Sequence, residues 1–305
     1  MYVVTGATGH TGSVIAKRLL AQGKKVRAVG RSAERLGSLA SLGAEPFAAD
    51  ISNKEAIAKV FSGADAAYLM IPPDLANPDY AAYQDKVIDA IGAALEQEKP
   101  EHVVVLSSFG ADKPGKTGPI SGLHRMEERL NRISGLNALY LRAGYFMENT
   151  LPQVNVIQQM GATAGPLKAD LQVPMIASRD IGPFAADALL RLEFRGHQAQ
   201  ELLGQRDLTM KEVAAIVGQA IGKPELEYRQ ISYDQFRGFL MQMGTSQRTA
   251  DMMAEMAEAQ NSGYVQALEA RSQRNTTPTS YEQFVAEEFV PAYRASSAGA
   301  TSAKA

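Results

Sequence analysis

The feature that most constrains the fold of this chain is its first twenty residues. Met1-Tyr2-Val3-Val4 is a short apolar strand, Thr5-Gly6-Ala7-Thr8-Gly9-His10-Thr11-Gly12 follows at once, and Ser13 to Leu20 reads as a helix. Glycines at 6, 9 and 12 between a strand and a helix are a dinucleotide-binding fingerprint. Gly6 allows the tight turn. Gly9 lets the backbone approach a pyrophosphate, which sits at the positive end of the new helix. Gly12 lets that helix pack closely on the sheet. Thr8, His10 and Thr11 complete the set of cofactor-binding candidates in the turn.

The alternation continues. Lys25–Gly30, Ala44–Asp50, Ala66–Ile71 and His102–Leu106 are strand-like, with Pro46 near the start of the second of these, where a missing donor is tolerated. Between them Ala33–Leu42, Lys54–Phe61 and Tyr80–Glu98 are helical, the last with Val87, Ile91, Ala94 and Leu95 on one stripe. Strand and helix in turn imply an α/β fold, a doubly wound parallel sheet of the Rossmann kind covered on both faces. A loop from Ser107 to Gly122, a helix from about Leu123 to Ile133 and a strand Ala138–Arg142 complete a nucleotide domain over residues 1–150. Beyond Thr150 the pattern is less regular. Thr209-x-x-Glu212 is a capping box that starts a helix through about Ile221, stopped by Gly222. Tyr233 to Ala259 reads as one methionine-rich helix, either a lid or core, and 296–305 as a small, polar, disordered tail. Asp180 is expected to cap the helix that follows it.

Composition narrows the function classes. At 305 residues the chain can form two coupled lobes. A net charge of -2 gives no general attraction to nucleic acid. The absence of cysteine excludes disulfides and thiolate chemistry, and fits a cytoplasmic protein. No apolar run reaches membrane-spanning length, no secretory signal opens the chain, and four scattered histidines give no metal site.

The ends of the strands carry the chemistry. An acidic residue after the second strand would accept from the ribose 2'-hydroxyl of NAD; here Gly30-Arg31-Ser32 stands instead. A guanidinium at that point suits the 2'-phosphate of NADPH, with NADH the lesser choice. Asp50, with Ile51, ends the third strand, where it either meets adenine or caps the next helix. Ile71 and Pro72 wall the cofactor on its far side, and Ser107, Ser108 and Phe109 lie at the carboxyl end of the fifth strand, where ligands bind. Ser107 is a contact residue rather than a nucleophile, since no Gly-x-Ser-x-Gly elbow surrounds it.

Five blocks occur in series: Thr5–Gly12, Val26–Arg31, His124–Glu128, Leu141–Asn149 and Ser178–Gly182. Together they resemble the NmrA-like branch of the atypical short-chain dehydrogenase/reductases over roughly residues 1–225. The resemblance implies an NADP site in a Rossmann lobe, and a smaller C-terminal α+β substrate lobe over 151–295, with residues around 178–195 returning to the first lobe. It implies one of two functions. The first is an NADPH-dependent reductase of quinones or other conjugated aromatic acceptors. The second is a cofactor-sensing regulator without turnover. The Tyr-x-x-x-Lys pair of the wider superfamily is missing: Ile120 stands for the tyrosine and His124 for the lysine. His124, as in the bacterial quinone and dye reductases, would hold the nicotinamide ribose or relay a proton. Tyr145 and Phe146 either stack on a planar substrate or cover the core at the lobe junction. The apolar helices flanking the sheet could form a homodimer face.

Overall fold

Val3 and Val4 have no exposed surface because strand β1 (Tyr2–Val4) has a neighbour on each side and helices over each face. A computed structural model describes the backbone of residues 1–302 and the side chains of residues 1–297. After β1 come α1 (His10–Ala21), β2 (Val26–Gly30), α2 (Gly37–Ala40), β3 (Glu45–Ala48), α3 (Lys54–Phe61), β4 (Ala66–Leu69), α4 (Tyr80–Glu98), β5 (His102–Ser108), α5 (Ile120–Asn131) and β6 (Asn137–Ala143). Then follow β7 (Tyr145–Phe146), α6 (Gln153–Met160), β8 (Thr163–Gly165), β9 (Val173–Ile176), α7 (Ser178–Arg191), β10 (His197–Leu202), β11 (Arg206–Leu208), α8 (Met210–Ala220), β12 (Tyr228–Gln230), α9 (Tyr233–Gln242), α10 (Gln247–Asn261), α11 (Tyr281–Phe284) and α12 (Val290–Ser302). A π-helical turn, Val285–Phe289, joins the last two.

The main sheet has seven parallel strands in the order β3-β2-β1-β4-β5-β6-β10. Strand order reverses between β1 and β4, which opens a crevice at their carboxyl ends. The period of two sends alternate side chains to opposite layers. Val3, Ala67, Leu69, Val103 and Val105 meet α3, α4 and α5, while Val4, Ala66, Tyr68 and Val104 meet α1 and α7. Helix α7 lies against α1 at close range: a Cβ on Gly182 would fall 2.7 Å from Val14.

The C-terminal lobe has its own core, where Met175, Val213, Phe284 and Phe289 converge on the three-stranded sheet β11-β9-β7. Strands β12 and β8 pair in parallel beside it. Among the described residues, no helix is long and apolar enough to cross a membrane.

Four expectations change. Helix α5 starts at Ile120 rather than Leu123, because Ile120 is drawn into a small core with Phe109 and Val265. The methionine-rich stretch is two helices, broken where Gly244 takes φ +90 and Ser246 caps α10 by accepting from the Thr249 N–H. Asp180 lies in the first turn of α7 but does not cap it. Its carboxylate takes the N–H and hydroxyl of Thr279, and Glu148 accepts from the Ser178 N–H that opens the helix. The expected tail is helical through Ser302, and Ser296 donates to Gln158 at 2.9 Å; residues 303–305 lie outside the described residues.

Candidate active site

The glycine turn is held from both sides. The Thr5 N–H and hydroxyl both donate to the Tyr68 carbonyl, and the Ala7 N–H donates to the Val29 carbonyl, so the turn bridges the ends of β4 and β2. Gly6 takes φ +60, the left-handed region that glycine enters without cost. A Cβ on Gly12 would fall 2.3 Å from the Gly6 carbonyl oxygen. The close approach is therefore between helix and turn, not helix and strand. Gly9 caps α1 without a side chain, and the first turn carries no acidic residue. Among the described residues, the N–H groups of Thr8, His10, Thr11 and Gly12 have no partner. Unpaired donors at the positive end of a helix fit a dinucleotide diphosphate.

Thr8 leans on Gly30, with its methyl 3.2 Å from where a Cβ would sit, and this puts the turn beside Arg31. Arg31 is exposed, and among the described residues its side chain makes no hydrogen bond or ion pair. Asp50 accepts from the N–H and hydroxyl of Ser52 at 2.9 and 2.8 Å. The helix cap is Asn53, whose side chain accepts from Glu55 and Ala56, so the capping role once open to Asp50 falls away. Ile51 and Ile71 are buried in the core between the sheet and α3–α5, and Pro72 is half-buried.

On the other side of the crevice, Ser107 is buried and its hydroxyl donates to Glu127 at 2.6 Å. It is turned into the protein rather than toward a ligand. His124 is half-buried, with Nδ1 2.8 Å from the Ala111 carbonyl. A carbonyl only accepts, so Nδ1 carries a hydrogen, and in the neutral imidazole Nε2 keeps its lone pair. Neutral His124 can thus accept a hydrogen bond at Nε2; to deliver a proton it must first take one up.

The aromatic candidates separate. Phe109 is buried with Ala259 and Val265, where the C-terminal lobe closes on the β5–α5 loop. Strand alternation sends Phe146 into the core below α1 and α7, and Tyr145 toward the core of the C-terminal lobe. The pair cannot stack together on one face of a substrate. Burial pushes the Tyr145 phenol up to about 12, so it stays protonated, and among the described residues its hydroxyl has no hydrogen-bond partner.

Residues that the sequence motifs contained but that were not singled out support this site. Glu127 binds Arg142 and Ser107 together, and Glu148 opens α7. Both acids lie inside the blocks His124–Glu128 and Leu141–Asn149, which is the sequence signal for them.

The NmrA-like family profile matches residues 2–289. A Streptomyces griseus protein, (4-alkanoyl-5-oxo-2,5-dihydrofuran-3-yl)methyl phosphate reductase, is 30% identical over 300 residues, which cover 95% of this chain and 100% of that protein. The NAD(P)H azoreductase of Xenophilus azovorans is 28% identical over 260 residues, 84% of this chain and 86% of that one. Among solved structures, the NADPH-dependent quinone oxidoreductase of Escherichia coli in complex with NADPH superposes with a TM-score of 0.78. It is 23% identical, with 95% of this chain and 100% of that one covered.

Proposed function

The chain belongs to the NmrA-like family, and from that membership we propose that it is an NADPH-dependent reductase of quinone-like or other conjugated aromatic acceptors. The observation that carries the reading is the row of unpaired N–H groups at the start of α1, beside an Arg31 with no partner of its own. Reductase names on relatives that align along most of this chain support it.

When bound, NADPH supplies the hydride. The chain's own residues orient and protect. The backbone donors of Thr8, His10, Thr11 and Gly12 hold the diphosphate, and Arg31 holds the 2'-phosphate through charge-assisted hydrogen bonds. His124 accepts at Nε2 from a ribose hydroxyl. Tyr145, neutral at any physiological pH, donates to the acceptor oxygen as charge develops there. A conjugated acceptor spreads that charge over its ring, so the missing tyrosine–lysine pair is tolerated.

The test is the loss of nicotinamide absorbance, with NADPH or NADH and a panel of quinones and azo dyes. Acceptor-dependent oxidation, faster with NADPH, is expected. Tight NADPH binding without oxidation of the cofactor by any acceptor would replace this reading with that of a cofactor-sensing regulator.

A further inference from the structure

The C-terminal lobe meets the start of α1 through an unbalanced cluster of charges. The first turns of α7 and α1 touch: a Cβ on Gly182 would fall 3.2 Å from the carbonyl oxygen of Thr11, the residue after His10. Beside that contact stand three carboxylates and one guanidinium. Glu148 accepts from the Ser178 N–H at 2.9 Å. Glu287 takes Arg179 and, at 3.0 Å, the Gln283 amide. Glu288, next to it on the π-helical turn, accepts no hydrogen bond among the described residues, and Arg179 is 4.0 Å away. Buried Val285 and Phe289 anchor the two ends of that turn, which fixes where the Glu288 side chain starts. Burial and the Glu148 carboxylate raise the Glu288 carboxyl above its usual range; Arg179 and His10 lie near enough to oppose them, and Glu287 adds to the rise. His10 is exposed, and among the described residues its imidazole has no hydrogen-bond or ion-pair partner.

We propose that His10 and Glu288 form a proton-accepting contact between the two lobes, which couples dinucleotide binding to the uptake of a proton. The inference rests on the proposed diphosphate site at the glycine turn and adds to it a control by pH. The cluster already holds more carboxylate than cation, and a diphosphate brings further negative charge to the same helix start. The imidazole is the group in the cluster whose ordinary titration falls near neutrality, so it takes the proton. As an imidazolium, His10 donates from one ring nitrogen to Glu288 and from the other to the diphosphate. The complex then holds more protons than the free chain. Affinity therefore falls as pH rises, by at most about tenfold per pH unit for one proton.

The experiment is isothermal titration of the full chain with NADPH at about pH 7.5, in buffers of different ionisation enthalpy, which counts the protons taken up per dinucleotide bound. The parent is expected to take up about 0.3 to 1 proton. His10→Gln, which cannot titrate, is expected to bind with uptake cut to about a third of the parent's or less. The difference between the two excludes whatever the cofactor's own phosphate contributes. Glu288→Gln, which removes the repelling charge, is expected to bind about two- to fivefold tighter than the parent at about pH 8.5. Loss of a purely structural contact would not tighten binding. NADPH binding without proton uptake in the parent, uptake in His10→Gln equal to the parent's, or weaker binding in Glu288→Gln at the higher pH would each overturn the coupling and leave the cofactor site standing. A parent chain that binds no NADPH would instead sink the site on which the coupling rests.

Discussion

Arg142 and Glu127 form a two-pronged ion pair, with Nε and Nη2 of the guanidinium 3.1 and 2.6 Å from the two carboxylate oxygens. Both side chains are largely shielded, at 14% and 6% exposure, and Ser107 donates to the same carboxylate. The pair ties α5, which carries His124, to the carboxyl ends of β5 and β6. Glu127→Ala leaves a buried guanidinium without its counter-charge, and should cost about 3–5 kcal/mol in urea unfolding. Replacing both partners, Glu127→Leu with Arg142→Met, should cost far less. A double variant as unstable as the single one would show that the pair itself stabilises the fold.

The glycine turn predicts a split between two alanine substitutions. A Cβ on Gly12 would meet backbone, the Gly6 carbonyl at 2.3 Å, which cannot move without breaking the turn. Gly12→Ala should lower the thermal midpoint or prevent folding. A Cβ on Gly9 meets only the same oxygen, at 3.3 Å, and otherwise faces solvent. Gly9→Ala should fold and yet lose most dinucleotide affinity, because the methyl occupies the approach of the diphosphate. Equal NADPH affinity in Gly9→Ala and the parent would refute a diphosphate at this turn.

Local patterns made much of this legible. Helices α3 and α4 fall on the residues read from the sequence, Lys54–Phe61 and Tyr80–Glu98, because periodicity and a flanking cap or turn mark both ends of each. The capping box at Thr209 and Glu212 is present for the same reason. Strand β10 escaped because His197–Leu202 is a polar edge strand, exposed over its first half, and only its pairing with β6 makes it a strand. At the site, the glycine turn and Arg31 are legible in residues adjacent in the chain, although contacts to Tyr68 and Val29 hold the turn in place. Long-range contacts decide the rest. Ser107 turns inward because Glu127 lies twenty positions on, and His124 has its tautomer set by Ala111, thirteen positions back. Tyr145 and Phe146 read as one aromatic patch, and only the strand's two faces separate them.

Arg31 has no protein partner to lose, so its removal should be felt mainly through the cofactor. Arg31→Ala should weaken NADPH by about 10- to 100-fold, the worth of charge-assisted hydrogen bonds, and leave NADH within about twofold. Binding titrations with both dinucleotides decide this. Equal losses for the two would remove the 2'-phosphate from Arg31.

His124 offers a test of which nitrogen matters. His124→Asn keeps a donor able to reach the Ala111 carbonyl but has nothing in the place of Nε2. His124→Ala removes both. If Nε2 contacts the cofactor ribose, the two variants should show a similar fall in kcat/KM, roughly tenfold or more. Activity restored by asparagine would mean that His124 only tethers the β5–α5 loop.

His102 sits far from the crevice, at the start of β5, and predicts how stability responds to acid. It is buried, its ring edge-on to Phe194 at 5.1 Å, and its Nε2 is 2.8 Å from Nη1 of Arg195. Burial, with the Arg195 charge beside it, holds the imidazole below its usual 6.5. A cation at Arg195 can only donate, so Nε2 must accept, and the folded state keeps His102 neutral. The unfolded chain takes up a proton near pH 6.5 and the folded chain does not until lower pH. Unfolding is therefore coupled to proton uptake in that window. The contribution is complete above pH 6.5 and falls as pH drops toward the folded value, below which the slope from this residue vanishes. His102→Gln, which keeps an acceptor for Arg195 but cannot titrate, should flatten the pH dependence of urea midpoints over that window. An unchanged slope in the variant would assign the acid sensitivity to other groups.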